Sequence, residues 1–346
     1  MFGKQMRVAR YYSNNDIRIE EMPKPRIGPG EILVKVMASG ICGSDVLEWY
    51  RLRTAPRVLG HEATGEIVEV GVGVSKYKMG DRVFVSHHVP CGTCHYCRRG
   101  HETACETLHT TNYDPGGFAE FIRVPKLNVE KGIYLLPQEM SFEEGTFIEP
   151  VACVVRAQRL AGIGDGDTVL ILGSGLSGLL HLQLARLKGA ARIFTTDISD
   201  YRLRAAKKFG ADATINANSD VIERLRQLNG GRLADKVIVC TGATAASRQA
   251  LKCVDRGGTI LFFAVPEPSV EITMPLAEFW RNEVTIMTSY GGAPRDLEEA
   301  LDLLSKKRLN VVDMITHRLP LEQTGLGFKL VAEAKDSLKV IIEPQR

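Results

Sequence analysis

The hydrophobic pattern changes character partway along this chain. Up to about residue 150, apolar and polar residues alternate in short runs separated by proline and glycine, which predicts short strands. The clearest strand covers 32–38, and others are predicted over 66–71 and 78–85. These features indicate a small β-rich domain.

Beyond residue 150, short apolar runs alternate with segments of helical period. Helices are predicted over 151–162, 176–185, 201–209, 221–228 and 245–253, and strands over 169–172, 192–197, 213–215, 236–240 and 258–263. This alternation predicts an α/β fold with a doubly wound parallel Rossmann sheet. A strand at 284–289, a helix at 295–304 and a strand at 339–342 then return the chain to the first domain. We therefore predict one domain of residues 1–150 completed by 290–346, and a nucleotide-binding domain of residues 151–289.

A glycine-rich turn joins the strand at 169–172 to the helix that follows it. Gly173 permits the tight turn, Gly175 removes the side chain that would hold a pyrophosphate away from the backbone, and Gly178 lets the helix pack closely on the strand. The N-terminus of the helix, at Leu176, offers free N–H groups and partial positive charge to that pyrophosphate. The turn therefore predicts a dinucleotide site.

Asp197 ends the next predicted strand, nineteen residues beyond Gly178, where a carboxylate can accept hydrogen bonds from both adenosine-ribose hydroxyls. The same charge would repel a ribose 2′-phosphate, so we predict NAD rather than NADP. Arg202, just downstream, weakens that preference and is a candidate cofactor residue, although a solvated helix charge is the simpler interpretation. Thr241 and Val265 follow two further strands and are predicted to border the nicotinamide half of the cofactor.

Composition and charge exclude several classes of function. A length of 346 residues agrees with two domains, and 44% hydrophobic with 25% charged residues is ordinary for a globular protein. The net charge of +3, without a long basic run, gives no indication of nucleic acid as a partner. No window approaches the roughly twenty apolar residues needed to cross a bilayer, and the N-terminus has no apolar secretion core. We expect a cytoplasmic protein without a membrane partner.

Half of the eight cysteines fall within fifteen residues, at Cys91, Cys94, Cys97 and Cys105. In a reducing compartment, clustered cysteines indicate a metal rather than disulfides. Four thiolates saturate a tetrahedral zinc and leave no open position, so this segment predicts a structural zinc site. Redox exchange is the alternative, and it is disfavoured because the four thiols leave no obvious resolving pair.

A second set of metal ligands comes from Cys42, His61 and Glu62. A thiolate, an imidazole and a carboxylate brought together from loops make a zinc site with room for a water or a substrate oxygen. A buried free cysteine and a hydrogen-bonded core histidine are the alternative interpretation of the isolated pair. His87 and His88 precede the cysteine cluster, but adjacent residues on a strand point to opposite faces, so we predict structural roles for both.

These motifs together resemble the zinc-containing medium-chain dehydrogenases over essentially the whole chain. The resemblance is carried by the Gly-His-Glu sequence at 60–62, the four-cysteine segment, the Gly-Gly-Phe-Ala-Glu-Phe sequence at 116–121 and the glycine turn. Within that family, residues 41–45 and 147–150 are most similar to the polyol (sorbitol) dehydrogenases and the related threonine dehydrogenases. The resemblance implies that the β-rich domain is a GroES-like catalytic domain.

The resemblance also implies roles for individual residues. Cys42 and His61 would be ligands of a catalytic zinc, with Glu62 and Glu149 exchanging with water at the remaining positions. A glutamate before proline at a domain junction, such as Glu149, could equally cap the next helix. Asp45 would orient a zinc ligand.

Ser44 would be the first group of a proton relay. Polyol and threonine dehydrogenases usually carry a histidine two residues after the aspartate of this motif, where this chain has Leu47. The proton is then expected to leave through Ser44 and the cofactor ribose.

The implied activity is that of an NAD-dependent and zinc-dependent dehydrogenase. It would oxidise a secondary hydroxyl of a polyol or a similar small polar alcohol, and it would form a homodimer or homotetramer. L-Threonine 3-dehydrogenase is the alternative within the enzyme class. A non-catalytic nucleotide-binding protein is the alternative of another class, and it is disfavoured because Cys42, His61 and Glu62 are all present.

Overall fold

The computed structural model describes residues 5–346. The first four residues of the N-terminus, where no secretion core was expected, lie outside the described range. The chain forms two compact units, one made of the chain up to Ala152 together with Gly292–Arg346, and the other made of Cys153–Gly291. None of the helices among the described residues combines the length and apolar composition that crossing a membrane requires.

The chain up to the second unit is mainly β-structure with short helices. Its strands are β1 (Gln5–Ser13), β2 (Asp16–Pro23), β3 (Ile32–Gly40), β4 (Arg57–Val58), β5 (Glu62–Val70), β6 (Arg82–Ser86), β7 (Phe121–Val124) and β8 (Ile133–Leu135). Its helices are α1 (Glu48–Arg51), α2 (His95–Arg98), α3 (Glu106–Thr110), α4 (Lys126–Lys131), α5 (Phe142–Gly145) and α6 (Ile148–Leu160). A short 3-10 helix covers Gly43–Val46, directly after β3.

The second unit alternates strands and helices. Its strands are β9 (Thr168–Leu172), β10 (Arg192–Asp197), β11 (Ala213–Asn216), β12 (Ala234–Val239), β13 (Val254–Phe262) and β14 (Thr285–Thr288). Its helices are α7 (Leu176–Leu187), α8 (Asp200–Lys208), α9 (Val221–Leu228), α10 (Thr244–Cys253) and α11 (Leu276–Arg281). The chain then returns to the first unit with α12 (Pro294–Ser305), β15 (Ile315–Pro320), α13 (Thr324–Glu333) and β16 (Lys339–Glu343).

The first unit is built on two sheets. The larger has seven strands in the order β15-β16-β3-β5-β6-β8, with β7 also paired to β3, and the smaller has the order β2-β1-β4. Alternate residues of β3, at Ile32, Val34 and Val36, are buried against Ile67 of β5 and Val83 of β6. Because β16 pairs with β3 in the middle of the larger sheet, the C-terminal strand is part of the core of this unit.

The second unit is a parallel sheet in the order β11-β10-β9-β12-β13-β14. All five residues of β9 are buried, as expected for a central parallel strand covered on both faces. The strand order reverses beside β9, and in such sheets ligands bind at the carboxyl ends of the strands at that position. This confirms the predicted α/β fold with a doubly wound parallel sheet.

One strand boundary differs from the expectation in a way that affects the site. The strand predicted from residue 66 begins at Glu62, which pairs with Gly40 of β3 and Ser86 of β6. Gly65 breaks the apolar pattern there, and a Cβ at Gly65 would collide with the Lys35 carbonyl of the neighbouring strand. Glu62 is therefore a strand residue, fixed by backbone pairing on both sides.

Candidate metal and nucleotide sites

The loop after β3 is shaped by its own side chains. Cys42 is the N-cap of the 3-10 helix, and its Sγ accepts a hydrogen bond from the Ser44 backbone N–H at 3.4 Å. The Asp45 carboxylate in turn accepts from the Cys42 backbone N–H at 3.1 Å. These reciprocal bonds form a capping box, which fixes the direction of the Cys42 side chain.

Cys42, His61 and Glu62 are brought together by this loop and the start of β5. Their ligand atoms all lie within 4.8 Å of one another. Gly60, in the left-handed region at φ +93°, makes the turn that precedes His61, and a Cβ there would come within 2.9 Å of the Phe118 backbone nitrogen. A thiolate, an imidazole and a carboxylate at this spacing can hold a zinc ion with a coordination position left open.

Asp45 connects this group to the surrounding protein. Its completely buried carboxylate accepts a hydrogen bond from Arg51 Nη2 at 2.9 Å, and Oδ1 lies 3.3 Å from His61 Nδ1. Burial raises the pKa of Asp45, but the charges of His61 and Arg51 and the hydrogen bonds hold it below its ordinary value. The contact occupies Nδ1 of His61 and leaves Nε2 as the ligand atom of the ring.

The surroundings of His61 favour a positive charge. Burial lowers the pKa of His61, but the negative charges of Asp45 and Cys42 outweigh burial and raise it well above its ordinary value. A metal cation and a proton therefore compete for the same ring, which is the usual relation between a metal and its histidine ligand.

Glu62 is held by a lysine that sequence reasoning missed. Lys339 of β16 donates a hydrogen bond from Nζ to Glu62 Oε2, and both side chains are completely buried. Lys339 Nζ also lies 3.5 Å from the Ile41 carbonyl oxygen and 5.6 Å from the centre of the Phe147 ring. A Cβ at Gly40 would come within 2.6 Å of Lys339 Nζ, so glycine makes room for the pair.

The other oxygen of Glu62, Oε1, is buried without a hydrogen-bond partner among the described residues. An orphaned buried carboxylate oxygen is costly unless a cation faces it. Glu62 belongs to the three-residue ligand group, so the donor set fits a metal ion. The only advance signal for Lys339 was its position as the charged residue opening an apolar strand.

Ser44 and Arg51 lie beside the thiolate. Ser44 Oγ is 3.4 Å from Cys42 Sγ and accepts a hydrogen bond from Arg51 Nη2 at 3.0 Å. Arg51 Nε also donates to the Ser44 carbonyl at 3.0 Å. The guanidinium thus bridges Ser44 and Asp45, a contact that the sequence did not indicate.

Glu149 is not part of the three-residue ligand group. It lies in the first turn of α6, and it acts electrostatically on the buried Tyr113 together with two carboxylates of the site. Burial raises the pKa of Tyr113 well above its ordinary value, and the charges of Asp45, Glu62 and Glu149 raise it further. Glu149 therefore lies in the neighbourhood of the ligand group.

The prediction for His87 and His88 rested on a wrong premise. Strand β6 ends at Ser86, so the two histidines follow the strand and do not alternate across it. Their rings lie 3.8 Å apart between centres, and the His87 ring lies 4.9 Å from that of His61. Both rings belong to the immediate surroundings of the ligand group.

The four clustered cysteines converge as a second metal-ligand group. Cys91 Sγ is 3.9 Å from Cys97 Sγ, which is 3.5 Å from Cys94 Sγ. Zinc–sulfur bonds of about 2.3 Å in a tetrahedron imply sulfur separations of about 3.8 Å. Backbone N–H groups of Thr93 and Cys94 lower the pKa of Cys91 to about 5, so its thiolate is available to a metal. The residues of this group, Cys91, Cys94, Cys97 and Cys105, fit a closed zinc site.

The glycine turn has the geometry that a dinucleotide requires. Gly173 has φ +101°, and a Cβ at Gly178 would collide with the Gly173 carbonyl. Gly175 is the N-cap of α7, so the backbone N–H groups from Leu176 onward face out of the turn. A pyrophosphate fits this cradle, because no side chain covers the helix N-terminus from within the turn.

Asp197 is oriented toward the turn by backbone hydrogen bonds. Its carboxylate accepts from the Ser174 N–H at 2.8 Å and from the Ser199 N–H at 2.9 Å. Arg202 Nη1 lies 4.0 Å from Asp197 Oδ2, and the Arg202 side chain is only 24% exposed. The guanidinium lies over Gly175, where a Cβ would be 3.6 Å from it. Arg202 of α8 therefore lies against the turn, and its interpretation as a solvated helix charge is wrong.

Thr241 and Val265 follow β12 and β13 at the carboxyl edge of the same sheet. A Cβ at Gly242, next to Thr241, would lie 2.9 Å from the Val265 carbonyl oxygen, so the two loops are adjacent. Val265 is 51% exposed. Both residues are therefore placed where they can contact a nucleotide bound at this edge.

Comparison with known proteins identifies relatives of the whole chain. Residues 28–135 match the model of the alcohol dehydrogenase GroES-like domain, and residues 178–306 match that of zinc-binding dehydrogenases. The chain is 32% identical to the sorbitol dehydrogenase of Bacillus subtilis (strain 168), over 99% of this chain and 98% of that protein. It is 33% identical to the L-threonine 3-dehydrogenase of Bacillus velezensis, over 99% of this chain and 100% of that protein.

A solved structure shares the fold along the whole chain. It is a zinc-binding dehydrogenase structure from Sinorhizobium meliloti 1021 with NADP bound, which superposes with a TM-score of 0.88 at 29% identity. The alignment covers 99% of this chain and 100% of that one.

Proposed function

Because this chain belongs to the zinc-dependent medium-chain alcohol dehydrogenases, of the sorbitol and threonine dehydrogenase type, we propose that it oxidises the secondary hydroxyl of a polyol or similar small polar alcohol with NAD. The observation that carries the proposal is the difference between its two ligand groups. Four thiols in one loop fit a closed structural zinc, whereas Cys42, His61 and Glu62 leave a position open for substrate.

Each residue of the open ligand group and its surroundings has its own proposed role. Zinc bound there would supply Lewis-acid activation of the substrate hydroxyl, and bound NAD would accept the hydride. Cys42 and His61 are the proposed permanent ligands, and Glu62 and Glu149 the proposed exchanging ones. Asp45 orients His61 through Nδ1, since it lies 3.3 Å from that nitrogen.

Ser44 is the proposed first acceptor of the substrate proton. Ser44 would take up that proton while it passes its own hydroxyl proton onward. Its Oγ already accepts a hydrogen bond from Arg51 at 3.0 Å, and the positive charge favours the release of the hydroxyl proton. Leu47 cannot carry the proton onward, and bound NAD would supply the next group of the relay through its ribose hydroxyls.

The choice of NAD over NADP rests on Asp197. Its carboxylate is held at the carboxyl end of β10 by two backbone N–H groups, where the adenosine ribose is expected. A 2′-phosphate would meet this negative charge. The relative with NADP bound shows that this fold also accepts the phosphorylated cofactor, so the preference follows from Asp197 and not from the fold. Rates with NAD and with NADP at equal concentration test it.

We also propose a homo-oligomer. Strand β14 is the edge of the six-stranded sheet, and unpaired edges are usually covered in soluble proteins. Helix α11, just before this strand, exposes Leu276 by 72% and Trp280 by 82%. Large exposed apolar side chains in the segment that precedes an edge strand favour a second copy of the chain. Light scattering behind a sizing column should give two or four times the mass of one chain.

The direct test of the activity is a screen for NADH formation with the zinc-loaded enzyme. Sorbitol and other polyols form one arm and L-threonine forms the other, because the similarity to L-threonine 3-dehydrogenase covers the chain as completely as that to sorbitol dehydrogenase. Turnover of a polyol supports the proposal, and turnover of L-threonine alone would replace it with the second activity. The absence of turnover with every alcohol would favour a non-catalytic nucleotide-binding protein.

A further inference from the structure

Arg57 is a charged residue in the electrostatic neighbourhood of the open ligand group, because the charges of Asp45 and Arg51 act on it. It is on β4, four residues before His61, and it is half-buried. Within residues 5–346 the guanidinium makes no hydrogen bond and no ion pair, and only longer-range electrostatic contacts reach it. Burial lowers the pKa of Arg57, and the charge of Arg51 lowers it further. A guanidinium that loses hydration in this way is normally paired with an anion.

Two carboxylates of the chain segment before Arg57 are already engaged. Asp45 accepts hydrogen bonds from Arg51 and from the Cys42 backbone N–H, and it contacts His61. Glu48 of α1 accepts from the Asn14 backbone N–H at 3.1 Å. Among the described residues, no carboxylate therefore pairs directly with Arg57.

His87 and His88 extend the same surface. The His87 ring contacts that of His61, and the His88 ring contacts that of His87. His87 Nδ1 is buried without a hydrogen-bond partner among the described residues. The charges of Arg51 and Arg57 act on both rings, so both rings lie in the neighbourhood of Arg57. An imidazole ring has at least one N–H group in either protonation state, so each ring can donate a hydrogen bond to an anionic oxygen.

We propose that Arg57, with His87 and His88 beside it, forms an oxyanion subsite next to the open ligand group, and that the alcohol oxidised there carries a phosphate or carboxylate group. The inference deepens the proposed function and rests on it, because it defines the substrate class of the same site. An arginine presents a planar fork of donors that matches the oxygens of either group. The position of the subsite beside His61 means that one substrate can reach both.

Three six-carbon substrates of equal length separate the possibilities. Sorbitol is neutral, sorbitol 6-phosphate carries a phosphate and gluconate carries a carboxylate. For the zinc-loaded enzyme we expect kcat/KM to be at least about tenfold higher for one of the anionic substrates than for sorbitol. Which anion gives the higher value distinguishes a phosphate site from a carboxylate site.

Variants of Arg57 make the test specific. Arg57→Gln should lower kcat/KM for the preferred anion by about 10- to 100-fold and change that for sorbitol by less than about threefold. Arg57→Lys should give a kcat/KM for the preferred anion between those of the wild type and Arg57→Gln. Arg53→Gln removes an exposed arginine of the same segment and serves as the matched control. A binding measurement is independent of turnover: inorganic phosphate should raise the unfolding temperature of the wild type and of Arg53→Gln, but not that of Arg57→Gln.

The outcomes are distinct. If sorbitol is oxidised as well as both anions, or if Arg57→Gln lowers all three rates equally, the oxyanion subsite is refuted while the alcohol dehydrogenase activity stands. If no alcohol is oxidised by the zinc-loaded wild type, the proposed function itself fails. If inorganic phosphate stabilises wild type and Arg57→Gln alike, the anion binds elsewhere and the assignment of Arg57 is wrong.

Discussion

Replacement of Lys339 by methionine tests how the open ligand group is held. Lys339 and Glu62 are both completely buried, and Nζ donates to Oε2. Methionine has a similar length and keeps the packing against Phe147 while it removes the positive charge. In the zinc-free protein, Glu62 then remains as a buried carboxylate without its lysine partner, and its Oε1 has no hydrogen-bond partner among residues 5–346.

The expected loss is large because the pair is buried. Removal of one partner of a buried ion pair costs about 3–5 kcal/mol, whereas removal of both charges is close to neutral. We therefore expect Lys339→Met and Glu62→Gln each to lower the urea midpoint of the zinc-free protein strongly, and the double variant to recover most of the loss. Lys329→Met removes an exposed lysine, 68% accessible, that faces Glu333, and should cost less than about 1 kcal/mol.

The gain in stability on addition of zinc is a second quantity to measure on the same variants. Without Lys339, the Glu62 carboxylate is free to turn to zinc, so zinc should restore more stability to Lys339→Met than to the wild type. The reasoning is refuted if Lys339→Met changes the midpoint no more than Lys329→Met does. It is also refuted if the two single losses simply add in the double variant, because the charges would then not be coupled.

Three further predictions address separate parts of the site. Asp197→Ala removes the charge that a 2′-phosphate would meet, so the ratio of kcat/KM for NAD to that for NADP should fall by about tenfold or more, and an unchanged ratio would contradict the role of Asp197. Cys94→Ser opens the four-thiol group, so elemental analysis should find one zinc less per chain and the unfolding temperature should fall, whereas unchanged zinc content would exclude that group as a metal site. The pKa of Asp45 is lowered in the folded state by His61 and Arg51 despite burial, so its contribution to stability is present above the unfolded pKa of about 3.9 and is lost as pH falls through the lower folded value. Asp45→Asn in the zinc-free protein should therefore lose stability at pH 7 and approach the wild type below about pH 4 in urea titrations, and a difference that stays constant with pH would count against the assignment.

The parallel sheet of the second unit and its glycine turn could be predicted from sequence because their signals are local. The buried run of β9, the glycine turn and Asp197 at the end of β10 follow one another within thirty residues, and each has a backbone reason for its residue type. The cysteine cluster is local in the same sense. The spacing of its four thiols is enough to define a donor set before any tertiary structure is known.

The remainder of the metal site depends on contacts that sequence spacing does not reveal. Lys339 is 277 residues away from Glu62 and reaches it only because β16 is inserted next to β3. Because β5 was predicted to begin later than it does, Glu62 was not recognised as a strand residue. Because a strand was assumed to continue through His87, the contact of its ring with that of His61 was not expected. In each case pairing between distant strands decided the geometry, and no pattern along a single strand records such pairing.

The central claim is that the chain holds one closed and one open zinc, and that the open one is needed for turnover. Elemental analysis of the purified wild type and of Cys42→Ser, combined with NADH formation and NAD binding on the same samples, tests it most directly. The account predicts two zinc ions per chain in the active wild type, and one in Cys42→Ser, which should bind NAD without turning over an alcohol. A wild type that is fully active with a single zinc, lost on substitution of Cys94 and retained on substitution of Cys42, would contradict it.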